Sequence, residues 1–389
     1  MKILHVIPTM DPVAGGVCQA VRTIIKHATT ESVKHEVVCL DHPDSAYLKN
    51  EEFILHALGK GETAWNYNSE LKPWLCEFLP LYDSVIVHGM WQYQTYAVQS
   101  SWKKLRSSLK GKLYAMPHGM LDPYFQRAKG RRFKAIRNLL FWECFEKPLV
   151  NTVEGMLFTC EEEKQLAQIP FRSYHPKKQF VVGLGVEEPP LHDILMDTAW
   201  HKKCPQIKDY NFLLFLSRIH PKKGVDLLIN AYIGLPDNEK DARKLVIAGP
   251  GLNTSFGRHM VELAKPEKNI IFVDMLTGNE KWGAFYGCEA FILPSHQENF
   301  GISVVEAMAC GKPVLITNQI NIYREIQVGN AGLICEDNQA GVNKMLSEWL
   351  LLHDHEKRKF GDRAKFIYMK YFSPIGAAKA LLSVLQEFV

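Results

Sequence analysis

The residues best suited to chemistry lie in the stretch HQENFGISVVEAMACGKPVLITN, residues 296–318. Two glutamates, Glu298 and Glu306, stand eight positions apart there, with Asn299-Phe300-Gly301 between them. The apolar, alanine-rich run that follows predicts a helix beginning over residues 301–303. Because the first turn of a helix exposes backbone N–H groups and the positive end of the helix dipole, this position suits a diphosphate.

The two carboxylates of this stretch suit hydroxyl groups. Glu306, one turn into the predicted helix, can accept two hydrogen bonds from a vicinal diol such as that of ribose. Glu298, in the loop before the helix, can bind sugar hydroxyls on the other side of the phosphates. The alternative for Glu306 is a first-turn charge that only stabilises the helix dipole. That alternative does not explain why a glutamate, a phenylalanine and a glycine precede the helix.

A second chemical pattern is basic. The sequence SRIHPKKG, residues 217–224, directly follows the apolar run 212–217. Arg218 can hold phosphate oxygens with its planar fork, and Lys223 can do so as a point charge. Gly224 then opens a predicted helix, whose N-terminus also favours an anion. The pattern predicts phosphate binding, with a basic turn in solvent as the alternative.

Glycine turns follow two other predicted strands. VIAGPG, residues 246–251, contains Gly249, and DPVAGGVCQAV, residues 11–21, places Gly15 and Gly16 at the start of a helix. Because glycine has no Cβ, the backbone at such turns can approach a ligand closely. The first turn predicts a contact with a donor molecule, and the second a contact with a phosphate or a sugar acceptor. Many α/β proteins have glycine turns without this role.

Two stretches carry the same His-Gly-Met sequence after a predicted strand: VHGMWQYQ, residues 87–94, and MPHGMLDPYF, residues 116–125. A single histidine at a strand end usually has a structural role. Two in the same context at the same sheet edge favour a functional role for His88 and His118. Flat aromatic faces that can pack on sugar rings come from Trp91, Tyr93 and Tyr124.

These residues must be positioned by two series of short apolar runs separated by helical patterns. The first series lies at 2–7, 34–40, 84–88, 112–116, 156–160 and 179–182, and the second at 212–217, 244–248, 270–273, 290–293 and 313–316. Continuous apolar runs of this kind indicate parallel strands buried on both faces. The polar stretch 187–210 joins the two series, and the strandless stretch 356–388 is predicted to be helical. Because ligands bind outside the carboxyl ends of such strands, the motifs predict a site in a cleft between two doubly wound domains.

The length and composition of the chain agree with two domains. The chain has 389 residues, 47% of them hydrophobic, and its net charge of +4 lacks the concentrated basic face that nucleic-acid binding needs. Its nine cysteines form no CxxC pair, which indicates reduced thiols in a cytoplasmic protein and no zinc site. The start predicts no signal peptide, and no stretch approaches the roughly 18 apolar residues of a membrane span. The basic-then-apolar stretch 125–150 suits a core helix with a solvated face or, alternatively, peripheral contact with the inner face of a membrane.

Together, the Glu298–Glu306 spacing, Arg218 with Lys223-Gly224, Gly15-Gly16 and His118-Gly119 resemble the retaining glycosyltransferases of family 4. The resemblance covers essentially the whole chain and is most specific in the C-terminal half. It implies the GT-B fold, in which two Rossmann-like doubly wound domains face each other across a cleft. Residues 1–186 would bind the acceptor, with the helix 373–389 packing back on them, and residues 187–372 would bind a nucleotide-sugar donor.

The resemblance also implies roles for single residues. Arg218 and Lys223 resemble the cations that neutralise the departing diphosphate, Glu298 the acidic group near the donor sugar, and His118 the histidine beside the transferred sugar. These four are the expected catalytic groups. Acceptor contacts are expected from His88, Trp91, Tyr93 and Tyr124. Donor contacts are expected from Gly15, Gly16, Arg218, Lys223, Gly249, Met275, Leu276, Glu298, Asn299, Phe300, Gly301, Ile302, Ser303 and Glu306.

The implied activity is transfer of a hexose with retention from a nucleotide-sugar, a UDP-sugar before a GDP-sugar. The acceptor would be a saccharide or a lipid-linked oligosaccharide in polysaccharide biosynthesis. The sequence contains no Asp-x-Asp, so we expect no metal and no other cofactor. A sugar-nucleotide epimerase and a non-catalytic nucleotide-sugar-binding protein are the alternatives. An epimerase would act without an acceptor, which separates it from a transferase.

Overall fold

The structure, a computed structural model, describes residues 1–127, 132–208 and 210–387, with the side chains at 127 and 132–135 left out of the description. The chain divides into two compact units. The first unit contains Met1–Gly185 together with Pro374–Val389, and the second contains Val186–Ser373. From the sequence, the first domain was predicted to end at Val186, one residue after Gly185. Its C-terminal helix was predicted to begin at Ser373, one residue before Pro374.

The first unit is built on a parallel sheet of seven strands in the order β3-β2-β1-β4-β5-β6-β7. Its strands are β1 (Lys2–Val6), β2 (Lys34–Cys39), β3 (Ile54–Ala57), β4 (Ser84–His88), β5 (Lys112–Met116), β6 (Gly155–Phe158) and β7 (Gln179–Val181). Its helices are α1 (Gly16–Ala28), α2 (Leu71–Phe78), α3 (Tyr93–Leu105), α4 (Tyr124–Arg127), α5 (Arg132–Phe141), α6 (Lys147–Thr152), α7 (Glu161–Leu166) and, after the second unit, α17 (Pro374–Gln386). A π-helical turn, Trp142–Glu146, joins α5 to α6.

Alternate residues of these strands face opposite sides of the sheet, and both sides are buried. On one side, Leu4, Val85 and Leu113 belong to a core that also contains Trp142. On the other side, Ile3, Ile86 and Tyr114 pack with apolar residues of α1 and α17. The helix α17 therefore completes the first unit, as the resemblance implied.

The second unit is built on a parallel sheet of six strands in the order β10-β9-β8-β11-β12-β13. Its strands are β8 (Asn211–Leu216), β9 (Arg243–Ala248), β10 (Ile270–Val273), β11 (Ala290–Leu293), β12 (Val314–Thr317) and β13 (Gly332–Cys335). Its helices are α8 (Ile194–Lys203), α9 (Val225–Ile233), α10 (Asp237–Ala242), α11 (Ser255–Ala264), α12 (Gly278–Gly287), α13 (Ile302–Ala309), α14 (Tyr323–Val328), α15 (Gln339–Leu351) and α16 (Asp354–Ile367). Runs such as Phe212–Phe215 are fully covered by these helices, as their continuous apolar sequence predicts.

Three elements were absent from the sequence prediction. The edge strands β3 and β13 have only four residues each, and most of these residues are partly exposed. His56 interrupts the apolar residues of β3, whereas β13 is a short apolar run, GLIC, that the prediction did not assign to a strand. The joining stretch 187–210 contains the helix α8, whose Trp200 is 1% exposed. A Cβ on Gly283 would lie 2.2 Å from the carbonyl oxygen of Met196, so α8 packs closely on α12. This stretch is part of the second unit rather than only a connector.

The cysteines are all free, and five of the nine are buried. Cys144 is exposed, which the expectation of core thiols did not include. Among the described residues, no helix is both long and apolar enough to cross a membrane.

Candidate active site

The donor motifs of the second unit lie at the point where its strand order reverses. The strands β8 and β11 are neighbours in the sheet although β9 and β10 lie between them in sequence. The loop 217–224 follows β8, and the loop 294–301 follows β11. A crevice outside the carboxyl ends of such a strand pair is the usual ligand position in doubly wound sheets.

The two loops are bonded to each other. The ammonium of Lys223 contacts the carboxylate of Glu298, and the Lys222 Nζ donates to Gln297 Oε1 at 2.5 Å. The backbone N–H of His296 donates to the carbonyl of Lys222 at 2.9 Å. The structure therefore joins two predicted site residues, 75 positions apart in sequence, in one ion pair.

Glycine makes this close approach possible. Gly224 has a left-handed φ of 64°, and a Cβ on it would lie 1.9 Å from the carbonyl oxygen of Pro294. Glycine is needed at position 249 for a similar reason, because a Cβ there would lie 1.9 Å from the carbonyl oxygen of Ser217. From the sequence, Gly249 was predicted to let a ligand approach the backbone closely. The contact with Ser217 adds a packing role for this glycine between the ends of β8 and β9, and its expected contact with the donor stays a prediction.

The loop after β8 concentrates positive charge. Arg218 is exposed, whereas the side chain of Lys223 is only 12% exposed. Burial, followed by the charges of Arg218 and Lys222, lowers the pKa of Lys223 to about 8. Contact with the Glu298 carboxylate acts in the opposite direction, since it favours the charged ammonium. Lys223 is thus a cation at neutral pH whose charge is balanced by one carboxylate.

The loop before α13 is held by the strand end beside it. The backbone N–H of Glu298 donates to the carbonyl of Gln319, and the N–H of Asn321 donates to the carbonyl of Glu298, both at 3.0 Å. Asn321 Nδ2 also donates to Asn299 Oδ1 at 3.3 Å. The Phe300 ring is buried, edge-on to Phe372 at 5.6 Å. These contacts fix the backbone that leads into the helix.

The helix α13 begins at Ile302, with Gly301 as its N-cap at a left-handed φ of 75°. No side chain caps it. The first N–H groups of a helix have no intrahelical acceptor, so those of Ile302 and Ser303 are available to an anion. The structure therefore places the helix start, Lys223 and Glu298 in one part of the second unit, as the sequence predicted.

Glu306 has a partner that the sequence did not reveal. Its Oε1 lies 2.7 Å from the Nζ of Lys281, which belongs to α12. The carboxylate side chain is 16% exposed, so Glu306 is an ion-paired group rather than a solvated first-turn charge. After β10, Met275 is 60% exposed and Leu276 is buried. Only the first of these two offers side-chain surface to a ligand.

In the first unit, His118 stands in an unusual backbone conformation. It follows β5 with φ 51°, and Gly119 follows with φ 80°. A left-handed non-glycine residue is uncommon and is held by its surroundings. The buried Glu163 does this, because its Oε1 accepts the Gly119 N–H at 2.5 Å and its Oε2 accepts the Thr159 N–H at 2.7 Å. Glu163 was not among the residues predicted from the sequence, although its position just after a strand was an available signal.

The expected acceptor contacts need correction. His88 is 0% exposed, and its two ring nitrogens bond to His5 and His118, so it has no surface for an acceptor. Tyr93 is 4% exposed and packs against Trp65. Both residues belong to the interior of the first unit. They were predicted to be at the surface because a sequence shows that a strand ends but not how its next turn is covered.

The other two aromatic candidates are half-buried. The indole N–H of Trp91 donates to the Met120 carbonyl at 3.0 Å, and its backbone N–H donates to Glu146 Oε1 at 2.8 Å. Glu146 is fully buried, and burial raises its pKa to about 8. Trp91 is thereby fixed in the turn after β4. Tyr124 begins α4 and has its backbone N–H capped by Asp122 at 2.8 Å.

The turn after β1 agrees with its predicted shape. Gly15, with φ 106°, is the N-cap of α1, and Gly16 is the first residue of that helix. A Cβ on Gly15 would meet nothing within 4 Å. Unlike Gly249, this glycine borders open space, so a ligand can approach its backbone.

Residues 196–366 match the family model described as glycosyl transferases group 1. The matched segment fills most of the second unit. This match agrees with the glycosyltransferase part of the resemblance. The first unit lies outside it.

Curated relatives match over similar lengths. A D-inositol 3-phosphate glycosyltransferase of Corynebacterium glutamicum is 27% identical over 180 residues, which cover 45% of this chain and 43% of that protein. A probable sucrose-phosphate synthase of Thermosipho melanesiensis is 29% identical over 40% of this chain and 37% of its own length. The O-antigen chain mannosyltransferase B of Escherichia coli is 28% identical over 34% of this chain and 35% of its own. The chain thus matches less than half the length of each of these relatives.

Solved structures match the whole chain in fold. A glycosyltransferase from Rickettsia africae has a TM-score of 0.75 at 15% identity, covering 100% of this chain and 98% of that one. Anabaena HepE in complex with UDP and glucose has a TM-score of 0.72 at 15% identity, covering 100% of both chains. The likeness confirms the predicted fold class, GT-B, with two Rossmann-like domains on parallel sheets of seven and six strands.

Proposed function

We propose that this protein is a retaining glycosyltransferase of family 4 that transfers a hexose from a UDP-sugar to a saccharide or lipid-linked acceptor in polysaccharide biosynthesis. The match of residues 196–366 to the group 1 family model supports the transferase class. The structure of HepE in complex with UDP and glucose, a protein of the same fold, supports the choice of UDP over GDP. Retention follows from the resemblance of the Glu298–Glu306 motif.

One observation carries the proposal. The cationic loop after β8 and the uncapped start of α13 lie together where the strand order of the second unit reverses. Both features stabilise negative charge: the first by ammonium and guanidinium groups, the second by backbone N–H groups and the helix dipole. Two carboxylates, Glu298 and Glu306, flank that helix start. A nucleotide-sugar presents the matching groups: its negatively charged diphosphate lies between the hydroxyls of the ribose and those of the donor sugar.

The proposed reaction breaks the bond between the anomeric carbon and the diphosphate oxygen. Positive charge develops on the sugar and negative charge on the diphosphate, and Arg218, Lys223 and the N-terminus of α13 would stabilise the latter. The acceptor hydroxyl would attack from the face that the diphosphate leaves. Its oxygen bonds to the anomeric carbon while its proton passes to the departing phosphate. Protein cations then neutralise the leaving group, so we propose that no metal is needed.

The remaining site residues receive proposed roles from the same scheme. Glu298 would accept hydrogen bonds from the donor sugar as a positioning and electrostatic group, and Glu306 would accept them from the ribose. In the first unit, His118 would contact the transferred sugar, and the Gly15–Gly16 turn would contact a phosphate or the acceptor. Trp91 and Tyr124 are the remaining candidates for packing on an acceptor sugar.

Peripheral membrane contact would fit a lipid-linked acceptor. Part of the basic stretch 125–150 lies outside the described residues. In the part of α5 that is described, Ile136, Leu139 and Leu140 are 61%, 52% and 65% exposed. We propose that this apolar surface touches anionic lipid, and co-sedimentation with anionic but not neutral vesicles is the measurement that tests it.

The deciding experiment for the donor is calorimetric titration with UDP, GDP, ADP and their hexose conjugates in the presence of EDTA. We expect UDP to bind with micromolar affinity. We expect Glu306→Gln to weaken UDP about tenfold, in line with the loss of one charged hydrogen bond, but to leave 2′,3′-dideoxy-UDP, which lacks both ribose hydroxyls, unchanged. Glu262→Gln is the matched control, since Glu262 is an exposed glutamate of α11 paired with Lys265.

The outcomes separate the alternatives. If GDP binds most tightly, the donor is a GDP-sugar instead of a UDP-sugar. If the folded protein binds none of the nucleotides, the proposal is overturned. Product formation from UDP-hexose without any acceptor sugar would indicate an epimerase. Tight binding without turnover in the presence of diverse saccharides would indicate a binding protein.

A further inference from the structure

Four histidines form a continuous row across the sheet of the first unit. The row runs from His35 on β2 through His5 on β1 and His88 on β4 to His118 after β5. The ring nitrogens of successive members lie 2.9, 2.8 and 3.0 Å apart. Neighbouring rings are nearly parallel, with centroids 5.1–5.3 Å apart. The row ends at His118, the one member proposed to touch the substrate.

The strand register produces this row. His5 pairs with Val37, two residues beyond His35, and Ile86, the partner of His5, lies two residues before His88. His88 pairs in turn with Met116, two residues before His118. Each step moves one strand across and two residues towards the carboxyl edge. All four side chains therefore lie on one face of the sheet, the face covered by α1 and α17.

The imidazoles of the row are neutral. His5 and His88 are fully buried, and burial together with neighbouring imidazoles lowers their pKa well below the usual value. Burial lowers the pKa of His35 and of His118 to about 4. A neutral imidazole carries one N–H and one lone pair. Each ring must therefore donate to one neighbour and accept from the other, so the row has only two possible arrangements of its protons.

The buried end of the row favours one of the two arrangements. Burial lowers the pKa of His35, and the backbone of Ala28, the last residue of α1, opposes that shift as a hydrogen-bond acceptor. Nε2 of His35 is buried without a hydrogen bond of ordinary geometry, whereas its Nδ1 is engaged with His5. A carbonyl only accepts, and the end of a helix is negative, so a proton on His35 Nε2 is favoured over a lone pair. With its proton on Nε2, His35 accepts through Nδ1, so Nε2 of His5 must donate to it. By the same reasoning, Nε2 of His88 donates to His5 and Nε2 of His118 donates to His88, so all four rings are in the Nε2–H form.

We propose that His35, His5 and His88 are positioning residues that hold His118 in its Nε2–H tautomer, so that its Nδ1 is presented as an acceptor to a hydroxyl of the sugar. The identity of the hydroxyl-bearing ligand rests on the proposed function, whereas the tautomer does not. Nδ1 of His118 makes no hydrogen bond within the described part of the chain. An acceptor nitrogen at this place selects a hydroxyl and disfavours the carboxylate of a uronic acid.

The tautomer can be read directly from ¹⁵N chemical shifts of the imidazoles in histidine-labelled protein without ligand, with His118→Gln used for assignment. We expect the Nε2–H form of His118 in the wild type. His5→Leu interrupts the row, and both tautomers of His118 should then be populated. His5→Gln supplies a donor and an acceptor, and it should restore the single form. Ile86→Val is the control for a packing change on the same face, and it should leave the tautomer unchanged.

The outcomes decide the proposal whether or not a sugar binds. An Nδ1–H form of His118 in the wild type, or an unchanged single tautomer in folded His5→Leu protein, would overturn it. If His5→Leu does not fold, His35→Phe at the end of the row gives the same reading. As a second readout, the preference for UDP-glucose over UDP-glucuronate should fall severalfold in the interrupted row. Failure of both nucleotide sugars to bind would count against the proposed function and leave the tautomer result standing.

Discussion

Lys223 and Glu298 neutralise each other in the structure, and a bound diphosphate would compete with the carboxylate for the ammonium. The two residues should therefore respond in opposite ways to substitution. Removing the ammonium takes away a charged hydrogen bond to the diphosphate, which contributes about 1.5–3 kcal/mol. Removing the negative charge of the carboxylate releases the ammonium to the ligand.

We expect Lys223→Met to weaken UDP binding by about tenfold to a hundredfold, as that energy range implies. Glu298→Gln should bind UDP as tightly as the wild type or more tightly, and yet transfer hexose much more slowly, because the donor sugar loses its carboxylate. Titration calorimetry and a transfer assay measure the two effects separately. Lys265→Met, at an exposed lysine of the second unit, is the control.

A parallel loss of UDP affinity in both variants would mean that the ion pair acts only as a structural link between the two loops. In that case thermal denaturation should show both variants to be destabilised to a similar extent. If Glu298→Gln transfers hexose at a near-normal rate, the assignment of Glu298 to the site is wrong.

The loop between β8 and α9 is the element on which the site depends most. Gly224 allows it to lie against the end of β11, where a Cβ would approach Pro294 O to 1.9 Å. We expect Gly224→Ala to lower the free energy of unfolding by about 2–4 kcal/mol, from left-handed strain plus the clash. Nucleotide affinity should fall as well, because the loop must shift. Urea denaturation and calorimetry measure the two quantities.

Gly278 provides a matched control for this substitution. It also has a left-handed φ, 50°, but a Cβ there would meet nothing within 4 Å. We expect Gly278→Ala to lower stability by only about 1 kcal/mol and to leave UDP affinity unchanged. Equal effects of the two substitutions would show that strain alone, and not the contact with Pro294, explains the glycine.

At the scale of elements, the sequence predicted most of the two sheets because their central strands are continuous apolar runs. It also predicted the start of α13, since Gly301 and the run after it are local signals. The partners of Lys223 and Glu306 could not be predicted, because the ion pairs join residues 75 and 25 positions apart in sequence. The histidine row required the strand register, which no local pattern contains. For the same reason, His88 was assigned to an acceptor surface although it is buried.

At the scale of the whole molecule, the histidine row makes the first unit sensitive to acid. All four pKa values lie below the ordinary value of 6.5 in the folded chain. Between pH 6.5 and about 4 the unfolded chain therefore binds protons that the folded chain does not, and stability falls as the pH falls. Each histidine contributes about 1.4 kcal/mol per pH unit, so four can remove most of the 5–15 kcal/mol that is typical of a domain.

We expect the first unit to lose stability steeply below pH 6.5 and to unfold before the second. Hydrogen exchange followed by mass spectrometry, at steps from pH 7 to 4.5 with correction for intrinsic exchange, resolves the two units. Glu146 opposes the trend, because its raised pKa gives stability as the pH falls from about 8, but it is one group against four. Replacing His5 and His88 by glutamine should reduce the slope. Protection of β1 and β4 that stays constant down to pH 5 would contradict the prediction.

The division of the chain also has a consequence for its synthesis. A ribosome that has completed Met1–Gly185 must add the whole second unit, about 190 residues, before it reaches Pro374. At roughly 5–20 residues per second, this takes on the order of 10–40 s. Throughout that interval the sheet face that contains Ile3, Ile86 and Tyr114 lacks α17 as a cover. The part made first is therefore finished last, and the nascent chain exposes an apolar surface that a chaperone can recognise.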